Sequence, residues 1–474
     1  MQSRPFYSPT PASLKSEWWT PRLAWPLLAA AVLRLVLLMI AVFRGGTRAL
    51  FDSDTFSYLE PGRNLLLHGR FFADGVPDLV RTPGYPLFLA ITSLAGFPAA
   101  AVANVLLSVF SIYLVWRIGR TAFDDNRIAL CAAWLFAFEP LSVIYSVLLI
   151  SDTLFLAIFL LSMERLAVFL RERRLRVLVA SGLWLAAATY VRPVSYYLPV
   201  ALALGLLVVL ARVPPMRWKA PAMLLISVLP WLAAWQIRNW VETGYGGFSS
   251  ITEINRYFNI AAGVTASVEH RPFLEVRHDL GFYKFADQSG QIYLSEPYLA
   301  RHPEQAGWNQ NQRIAFMRSE ADRIIRAHYG DYLRCCVLTP FFKTAFNPGE
   351  GNFSRLVILR EDEQNSGLID QGPVHWGIVL IKTNPRVAAE KGSFEVVLLG
   401  LYLLAAWGVF RNRPHKATLW LLLGTSLYFF AVSAVAGGVG ADARYRLPSM
   451  PYVCILAAAG VQRLRSLPAG KEHC

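Results

Sequence analysis

Charged residues are scarce in this chain of 474 residues, of which Asp, Glu, Lys and Arg together make up only 16%. A soluble globular protein carries about 25%. Hydrophobic residues make up 55% of the chain and aromatic residues 13%, and the mean hydropathy is +0.38. A water-soluble globule is therefore excluded, and the composition is typical of a protein that crosses a membrane several times.

Cysteine and histidine are also few. The five cysteines are an odd set without metal-ligand spacing, and they predict no disulfide framework. The eight histidines include no His-x-x-x-His pair that would build a zinc site on one helix. The sequence therefore predicts that no cofactor is required. If a divalent cation were bound, Asp54, Asp152 and His68 would be its candidate ligands.

Acidic residues are outnumbered, with 32 Asp and Glu against 46 Lys and Arg, which gives a net charge of +14. Nucleic-acid binding would require a basic stripe or an aromatic RNA-binding motif, and neither interrupts the apolar runs. An excess of Lys and Arg beside membrane spans explains the charge instead. We therefore expect membrane lipids, and not nucleic acid, among the partners.

Apolar segments of spanning or near-spanning length recur along the chain. They lie around 24–43, 97–116, 128–148, 150–170, 177–191, 194–211, 220–238, 392–410, 418–436 and 448–462. This pattern predicts an all-α polytopic membrane protein with about ten transmembrane helices, within an interval of roughly nine to thirteen. No small-residue cleavage site closely follows the first segment, so we expect it to be a retained anchor and not a signal peptide.

The same pattern divides the chain into three parts. An N-terminal transmembrane module covers 1–240 and includes an outer loop at 44–83. The long polar segment 241–391 is predicted to be a small extracytoplasmic α or α+β domain. The remaining residues, 392–474, are predicted to form C-terminal transmembrane helices.

Lys and Arg are distributed unevenly among the short connections. Connections such as 117–127, 171–176 and 212–219 are rich in them, and this places both termini in the cytoplasm. The exception is the outer loop 44–83, which carries five arginines together with Asp52 and Asp54. The rule that sets membrane orientation would not favour so many arginines in an outer loop. The loop is therefore predicted to bind an anionic, lipid-borne substrate.

Several motifs in the membrane part occur together in a known group of enzymes. They are Asp54-x-x-x-Tyr58, Leu66-x-x-Gly69-x-Phe71, Arg81-x-Pro83-Gly84-Tyr85-Pro86-Leu87, the segment 140–155, Gly182 with Tyr190-Val-Arg-Pro193, Ile237-Arg-Asn239 followed by Gly244, and Arg444-Tyr-Arg-Leu-Pro448. In these motifs the chain resembles the bacterial GT-C glycosyltransferases of the dolichyl-phosphate-mannose protein mannosyltransferase-like group, which includes the lipid A aminoarabinose transferases. Residues 245–391 remain largely outside the resemblance.

The resemblance implies a GT-C type fold and an enzyme of cell-envelope biogenesis in the bacterial inner membrane. Such an enzyme transfers a sugar, with inversion, from a polyprenyl-phosphate donor to a lipid, glycan or protein acceptor on the outer face. The chemistry itself requires only one carboxylate as base, because the departing lipid phosphate is already a stable anion. A glycosidase, in contrast, requires two carboxyl groups.

Two aspartates are the candidate catalytic residues. By resemblance Asp54 is the catalytic base, and the alternative is that it caps the helix that follows. By resemblance Asp152 is a second carboxylate of the site, and the alternative is again a helix cap. Asp52 is expected to be a cap or an outer carboxylate of the substrate site.

Guanidinium groups bind phosphate in bidentate geometry, and tyrosine can line a lipid-phosphate site. The predicted substrate-binding residues are Asp52, Tyr58, Arg81, Tyr85, Arg192, Arg238, Asn239, Arg444 and Arg446. The alternatives are arginines that snorkel to lipid headgroups and tyrosines of the ordinary aromatic belt. Arg34 and Glu139 lie nearer the middle of the membrane, and we expect each to face the bundle with a partner in a structural role.

Two other functions fit a polytopic chain with outer arginines. A flippase or transporter for a lipid-linked sugar would be expected to show broken helices, charged relays near mid-bilayer and a repeat between its halves. An O-antigen polymerase or ligase would be expected to have its key arginines in the large outer segment, whereas here they are concentrated in the first loop.

Overall fold

The structure is a computed structural model, and it describes residues 19–285, 292–349, 351–358, 378–379, 381–383, 385–411 and 416–465. The charged stretch ahead of the expected N-terminal anchor lies outside these residues.

Helices dominate the described part of the chain. Up to the long polar segment they are α1 (Ala24–Gly45), α2 (Phe56–His68), α3 (Gly84–Thr92), α4 (Phe97–Phe123), α5 (Asn126–Ala137), α6 (Pro140–Tyr145), α7 (Asp152–Glu172), α8 (Leu175–Val191), α9 (Leu198–Val209) and α10 (Pro214–Thr243). A small hairpin of β1 (Phe72–Ala73) and β2 (Val76–Pro77) follows α2.

The polar segment and the C-terminal part continue this pattern. Their helices are α11 (Ile251–Asn255), α12 (Ala262–Glu269), α13 (Phe273–Asp279), α14 (Glu296–Arg301), α15 (Gln310–Ala327), α16 (Tyr329–Asp331), α17 (Thr339–Phe346), α18 (Gly351–Ile358), α19 (Pro385–Arg411), α20 (Lys416–Gly437) and α21 (Met450–Arg465). An antiparallel hairpin joins β3 (Phe282–Phe285) to β4 (Ile292–Leu294). The turn Ala443–Ser449 leads into α21.

The predicted all-α polytopic membrane fold is confirmed. Within the described residues, six helices are long and apolar enough to cross a membrane: Pro21–Gly45, Phe97–Phe123, Asp152–Glu172, Pro214–Thr243, Pro385–Phe410 and Ala417–Gly440. Four shorter apolar helices accompany them: Gly84–Ala95, Asn126–Ala137, Leu175–Val191 and Pro193–Val209. The total number of spans remains a prediction.

The predicted single span 128–148 is wrong. Helix α5 ends at Ala137, and α6 begins at Pro140 after an extended Glu139. Proline has no N–H to donate and disfavours helical backbone at the residue before it, so the helix ends there. The Glu139 carboxylate then caps α6 by accepting hydrogen bonds from the backbone N–H groups of Leu141 and Ser142 at 3.2 and 2.6 Å.

Arg34 takes the structural role predicted for it inside the bundle. Its fully buried guanidinium donates to Ser108 Oγ at 2.8 Å, to the Ala137 carbonyl at 2.9 Å and to Ser142 Oγ at 3.1 Å. These contacts tie α1 to α4 and to the break between α5 and α6. A buried charge with hydrogen-bond partners on three sides stabilises this packing, because leaving it unpaired in an apolar interior would be costly.

The described helices of the polar segment build a small hydrophobic core of their own. It is formed by residues such as Phe258, Met317 and Ile325, and Val80 of the first outer loop packs against it. The division of the chain at 241 and 391 stays a prediction. The structure does show that 391 falls inside a helix, since α19 already begins at Pro385.

Two C-terminal helices, α19 and α21, pack at unusually close range. A Cβ atom added at Gly408 would overlap the carbonyl oxygen of Leu456, and one added at Gly460 would overlap the carbonyl oxygen of Leu404. Small residues allow such close approach of helix backbones in membranes. Gly400, on the same α19 helix, has open space around it.

We therefore expect Gly408→Ala to destabilise the protein by about 1–3 kcal/mol, because the added methyl group forces the two helices apart. Gly400→Ala is the matched control and should be neutral or slightly stabilising, since alanine favours a helix over glycine by roughly 0.5–1 kcal/mol. The measurement is thermal unfolding of the two purified variants in detergent. Equal unfolding midpoints would show that the helices do not pack in this way.

Candidate active site

Four connections that lie far apart in sequence meet at one place. They are the first loop, with its segments before α2 and before α3, the start of α7, the end of α8 and the turn before α21. The ion pairs between their side chains establish this meeting point. The alternation of loops predicted from the sequence puts all four on the same side of the membrane, so charged side chains from each can gather there.

Asp54 lies at the centre of this group. Its Oδ1 is 2.7 Å from Nη2 of Arg81, and its Oδ2 is 2.8 Å from Nη1 of Arg444. The Asp54 side chain is only 16% exposed. Thr55 precedes the first residue of α2, and no side chain caps that helix. The alternative interpretation of Asp54 as a helix cap is therefore wrong.

The two arginines determine the charge state of Asp54. Burial alone would raise the pKa of this carboxyl group, but the positive charges and hydrogen bonds of Arg81 and Arg444 outweigh burial and hold the pKa well below its usual range. Asp54 is consequently ionised at neutral pH. While both oxygens remain on the guanidinium groups, it is also a weak proton acceptor.

Tyr58 links this ion-pair cluster to the start of α7. The Arg81 guanidinium lies over the Tyr58 ring, 4.7 Å from its centroid, and Arg81 Nη1 donates to the Tyr58 hydroxyl at 3.4 Å. The same hydroxyl lies 3.3 Å from Ser151 Oγ, and the Tyr85 ring packs edge-on at 4.8 Å between centroids. Both tyrosines are buried, so they do not belong to an aromatic belt facing lipid.

Asp152 and Arg192 form a second ion pair beside the first. Arg192 Nη1 contacts Asp152 Oδ1, and the Asp152 carboxylate is almost completely buried. Its other oxygen, Oδ2, has no hydrogen-bond partner among the described residues. Arg192 is within electrostatic reach of both Arg444 and Asp54, so the two pairs belong to one cluster. Asp152 is the first residue of α7 and binds an arginine, which favours the site interpretation over the cap.

Arg355, in the short helix α18, is a member of the cluster that the sequence did not identify. Its Nη2 lies 3.7 Å from Asp52 Oδ2, and its Nη1 donates to the Phe51 carbonyl. Asn352, one turn earlier, donates to the Tyr145 hydroxyl at 3.2 Å. No motif distinguished Arg355 from the other arginines of a segment that lies outside the family resemblance.

Arg238 and Asn239 have structural positions that differ from the predicted substrate-binding role. Arg238 donates to the backbone carbonyls of Phe71 and Asp78 at 2.7 and 3.2 Å. Asn239 is buried and donates to the Gly247 carbonyl at 2.9 Å. These bonds tie the first outer loop to the end of α10. These hydrogen bonds give Arg238 and Asn239 a structural role, and neither is part of the ion-pair cluster around Asp54.

Arg446 is likewise used by the backbone. Its buried guanidinium donates to the carbonyls of Thr344 at 3.0 Å and Pro348 at 3.2 Å, and also to that of Asn347. It therefore joins the turn before α21 to the end of α17. This geometry corrects its predicted role as a phosphate ligand, whereas its neighbour Arg444 points into the cluster.

Asp78 is a buried carboxyl group that shapes the loop ahead of Arg81. Its Oδ1 accepts hydrogen bonds from the backbone N–H groups of Val80 and Arg81 at 2.7 and 2.9 Å. Its Oδ2 has no hydrogen-bond partner among the described residues. Burial raises the pKa of Asp78 to about 6, although these hydrogen bonds and the charges of Arg81 and Arg238 oppose the rise. An aspartate after Pro77 is a turn signal that sequence analysis could have used.

The backbone between Asp78 and Arg81 is held from the other side by the start of the polar segment. The Ser250 N–H donates to the Leu79 carbonyl at 2.8 Å, and Ser249 Oγ donates to the Val80 carbonyl at 2.7 Å. The Leu79 side chain is buried against Tyr245 and Ile314. Arg81 is therefore positioned by contacts with the polar segment as well as by the membrane helices.

The three candidate metal ligands do not come together. Asp54 and Asp152 are each paired with arginine, and His68 is exposed at the far end of α2, about 18 Å along that helix from its start. In the part of the chain that the structure describes, no group of three or more His, Cys, Asp or Glu side chains could hold a metal ion.

The raised pKa of Asp78 gives stability a defined pH dependence. In the folded protein Asp78 keeps its proton up to about pH 6, whereas in the unfolded chain it loses the proton near pH 4. The group therefore favours folding at low pH, and this contribution is lost as the pH rises between these values. Asn at this position keeps the Oδ1 acceptor and carries no charge.

We expect Asp78→Asn to gain stability relative to the wild type by about 1–3 kcal/mol between pH 4 and pH 8. Thermal unfolding in detergent across this range measures the difference. Asp74→Asn, on the exposed turn of the same loop, is the matched control and should show little change with pH. A difference between Asp78→Asn and the wild type that is the same at all pH values would contradict the buried-carboxyl assignment.

Residues 81–235 match the family model described as dolichyl-phosphate-mannose-protein mannosyltransferase. The matched segment begins at Arg81 and includes Asp152 and Arg192, while Asp54 and Arg444 lie outside it. No curated protein sequence matches the chain.

Several solved structures of membrane enzymes are similar to this chain. The oligosaccharyltransferase of Archaeoglobus fulgidus in its apo form is 12% identical, with a TM-score of 0.49, covering 95% of this chain and 51% of that one. ArnT from Cupriavidus metallidurans in the apo state is 15% identical, with a TM-score of 0.36, covering 94% of this chain and 78% of that one. The structure of that ArnT bound to undecaprenyl phosphate also has 15% identity and a TM-score of 0.36, covering 93% and 78%.

The chain thus spans about half the length of the archaeal enzyme, with 51% of that chain covered. All three TM-scores lie below 0.5. The family match over residues 81–235 agrees with the resemblance to the dolichyl-phosphate-mannose protein mannosyltransferase-like group that the motifs predict.

Proposed function

We propose that this protein is an integral membrane glycosyltransferase that moves a sugar from a polyprenyl-phosphate-linked donor to an envelope lipid, glycan or protein. The observation that carries the proposal is the buried Asp54 carboxylate between Arg81 and Arg444, at the meeting point of four connections. The family match adds support, because it covers the segment that contributes Arg81, Asp152 and Arg192 to the same cluster.

The charge of the cluster suits a phosphate group. Arg81, Arg192 and Arg444 carry three positive charges, and Asp54 and Asp152 carry two negative charges, so one positive charge is left over. Guanidinium groups present paired N–H donors that fit the oxygens of a phosphate. In a buried site such contacts are stronger than in water, so the cluster is a suitable place for the phosphate of the donor.

The reaction is an in-line displacement at the anomeric carbon of the donor. The acceptor oxygen forms the new bond to that carbon, the bond from the carbon to the phosphate oxygen breaks, and the phosphate keeps the electron pair. The proton of the acceptor passes to Asp54, which acts as the general base. The leaving phosphate needs no proton, so inversion proceeds with a single carboxylate. Neither a required cofactor nor a metal enters this mechanism.

The remaining proposed ligands surround this centre. Tyr58 and Tyr85 pack beside Arg81, and Asp152 with Arg192 lines the opposite side of the cluster. On the side of α18, Asp52 pairs with Arg355 and joins the segment before α2 to that helix, so we assign it no contact with the reacting groups.

The alternative functions have less support. A flippase would be expected to have charged relays near mid-bilayer, whereas Arg34 and Glu139 are engaged in structural hydrogen bonds and Glu164 of α7 is paired with Arg117 of α4. A polymerase or ligase would be expected to have its arginines in the large outer segment. In this cluster only Arg355 comes from that segment, whereas Arg81, Arg192 and Arg444 come from other connections.

We also propose that the cluster faces the outer side of a bacterial inner membrane and that both termini are cytoplasmic. The distribution of Lys and Arg among the connections supports this orientation. The outer face is also where acceptors of the cell envelope are found.

Cysteine labelling in intact cells tests the orientation. A cysteine at the exposed Val76 should react with a membrane-impermeant thiol reagent, and one at the exposed Glu172, the last residue of α7, should react only after the cells are opened. The unsubstituted chain controls for its own cysteines. Labelling of Glu172→Cys from outside would reverse the orientation and place the cluster in the cytoplasm.

Replacing the proposed base should abolish sugar transfer. We expect Asp54→Asn to lower the transfer rate by roughly 10²–10⁴, because the amide cannot accept the proton of the acceptor. The measurement is mass spectrometry of envelope lipids, glycans and glycoproteins from a deletion strain that expresses each variant at equal level.

Asp52→Asn is the matched control. It removes the same charge two residues before Asp54, and the Asp52 side chain contacts neither Arg81 nor Arg444. It should retain most of the activity. Wild-type product levels in Asp54→Asn would transfer the role of base to Asp152. Unchanged products in the complete deletion strain would contradict the glycosyltransferase proposal itself.

A further inference from the structure

Asp54 binds the guanidinium groups of Arg81 and Arg444, which are the groups that the proposed function assigns to the phosphate of the donor. Each carboxylate oxygen of Asp54 accepts one charge-assisted hydrogen bond, Oδ1 from Arg81 and Oδ2 from Arg444. The phosphate-binding donors of both arginines are therefore directed at a group of the protein itself. Each oxygen of the base already accepts a hydrogen bond from a positively charged donor, which weakens it as an acceptor for the proton of a hydroxyl.

Resting on the proposed function, we propose that Asp54 occupies the place of the donor phosphate and is displaced from Arg81 and Arg444 when the donor binds. Donor binding then performs two tasks at once. It places the sugar at the reaction centre, and it releases the carboxylate that must accept the proton.

The chemistry of the two anions favours such an exchange. A sugar linked to a polyprenyl chain through one phosphate is a phosphodiester with a single negative charge shared by two free oxygens. A carboxylate has the same charge and the same number of oxygens. The phosphodiester can thus take over both guanidinium groups without leaving a buried positive charge unpaired, which would be costly.

Displacement also changes the basicity of Asp54. The neighbouring guanidinium charges are the cause of its low pKa, and burial alone acts in the opposite direction. Once the phosphate neutralises Arg81 and Arg444, burial dominates, and the pKa of Asp54 rises towards the range in which a general base works well. The base is therefore weak in the free protein and becomes stronger only beside a bound donor.

The same competition acts on product release. After transfer, Asp54 carries the proton of the acceptor and is neutral, so it no longer competes with the lipid phosphate. When Asp54 loses this proton to solvent, the carboxylate returns to Arg81 and Arg444 and favours departure of the lipid phosphate. The cycle consumes only donor and acceptor, and the proton of the acceptor passes through Asp54 to solvent.

Equilibrium binding of farnesyl phosphate to the purified full-length chain in detergent tests the exchange. Removing an internal competitor should increase affinity, so Asp54→Asn and Asp54→Ala are expected to bind this probe about ten-fold or more tightly than wild type. Two neutral variants are used so that the result does not depend on the folding of one, and unfolding midpoints establish that each is folded.

Two control variants separate competition from a general effect of charge. Asp52 also lies within electrostatic reach of Arg444 but contacts neither arginine of the pair, so Asp52→Asn should change the affinity by no more than about three-fold. Asp54→Glu keeps the competing carboxylate and should bind the probe about as well as wild type. Tighter binding confined to the neutral Asp54 variants supports the exchange.

Other outcomes overturn it. If neutral Asp54 variants bind farnesyl phosphate no more tightly than wild type, or more weakly, Asp54 orients the arginines and does not compete with the phosphate. The proposed function survives that result provided that Arg81→Gln and Arg444→Gln weaken binding. If neither arginine variant weakens binding, the phosphate lies elsewhere, and both the exchange and the proposed phosphate site are wrong.

Discussion

The pairing of the Asp54 carboxylate with two guanidinium groups is the interaction on which the outer half of this molecule depends. Arg81 belongs to the first loop and Arg444 to the last connection, so one carboxylate joins parts of the membrane bundle that come from the beginning and the end of the sequence. Charges buried in this way are stable only when each has a partner. The cluster therefore fixes the relative positions of loops that share no continuous secondary structure.

Other arginines achieve a similar result with neutral partners. Arg34 bridges the first helix and the break between α5 and α6, Arg238 joins the first outer loop to α10, and Arg446 joins the last turn to α17. Arg34 and Arg446 use their planar sets of donors to satisfy carbonyl groups at places where a helix ends, whereas Arg238 binds carbonyl groups that flank the hairpin of β1 and β2. Backbone carbonyls at helix ends lack intrahelical partners, and buried guanidinium groups supply them.

The sequence predicted most of the membrane helices and several residues that the structure brings together, but not the partners of individual arginines. Long apolar runs predicted the membrane helices because hydrocarbon leaves a helix few alternatives. The interruption at Glu139 and Pro140 was missed because the apolar residues around it hide a break of only two residues. Asp54, Arg81, Arg192 and Arg444 were found from motifs, yet Arg446 was chosen with them because motif spacing does not show which side chain faces the cluster. Arg355 could not be assigned because its role depends on contacts across the fold, whereas the turn signal at Asp78 was available and was not used.

The hydrogen bonds that hold the loop between Asp78 and Arg81 limit which segments could be exchanged between related proteins. Ser249 and Ser250 belong to the polar segment, yet they hold the carbonyl groups beside the arginine that binds Asp54. Val80 is inserted into the core of that same segment. A chimera that combined this membrane bundle with the outer segment of a relative would also have to exchange residues 78–81. The two regions are therefore expected to diverge in evolution as a matched pair and not as independent modules.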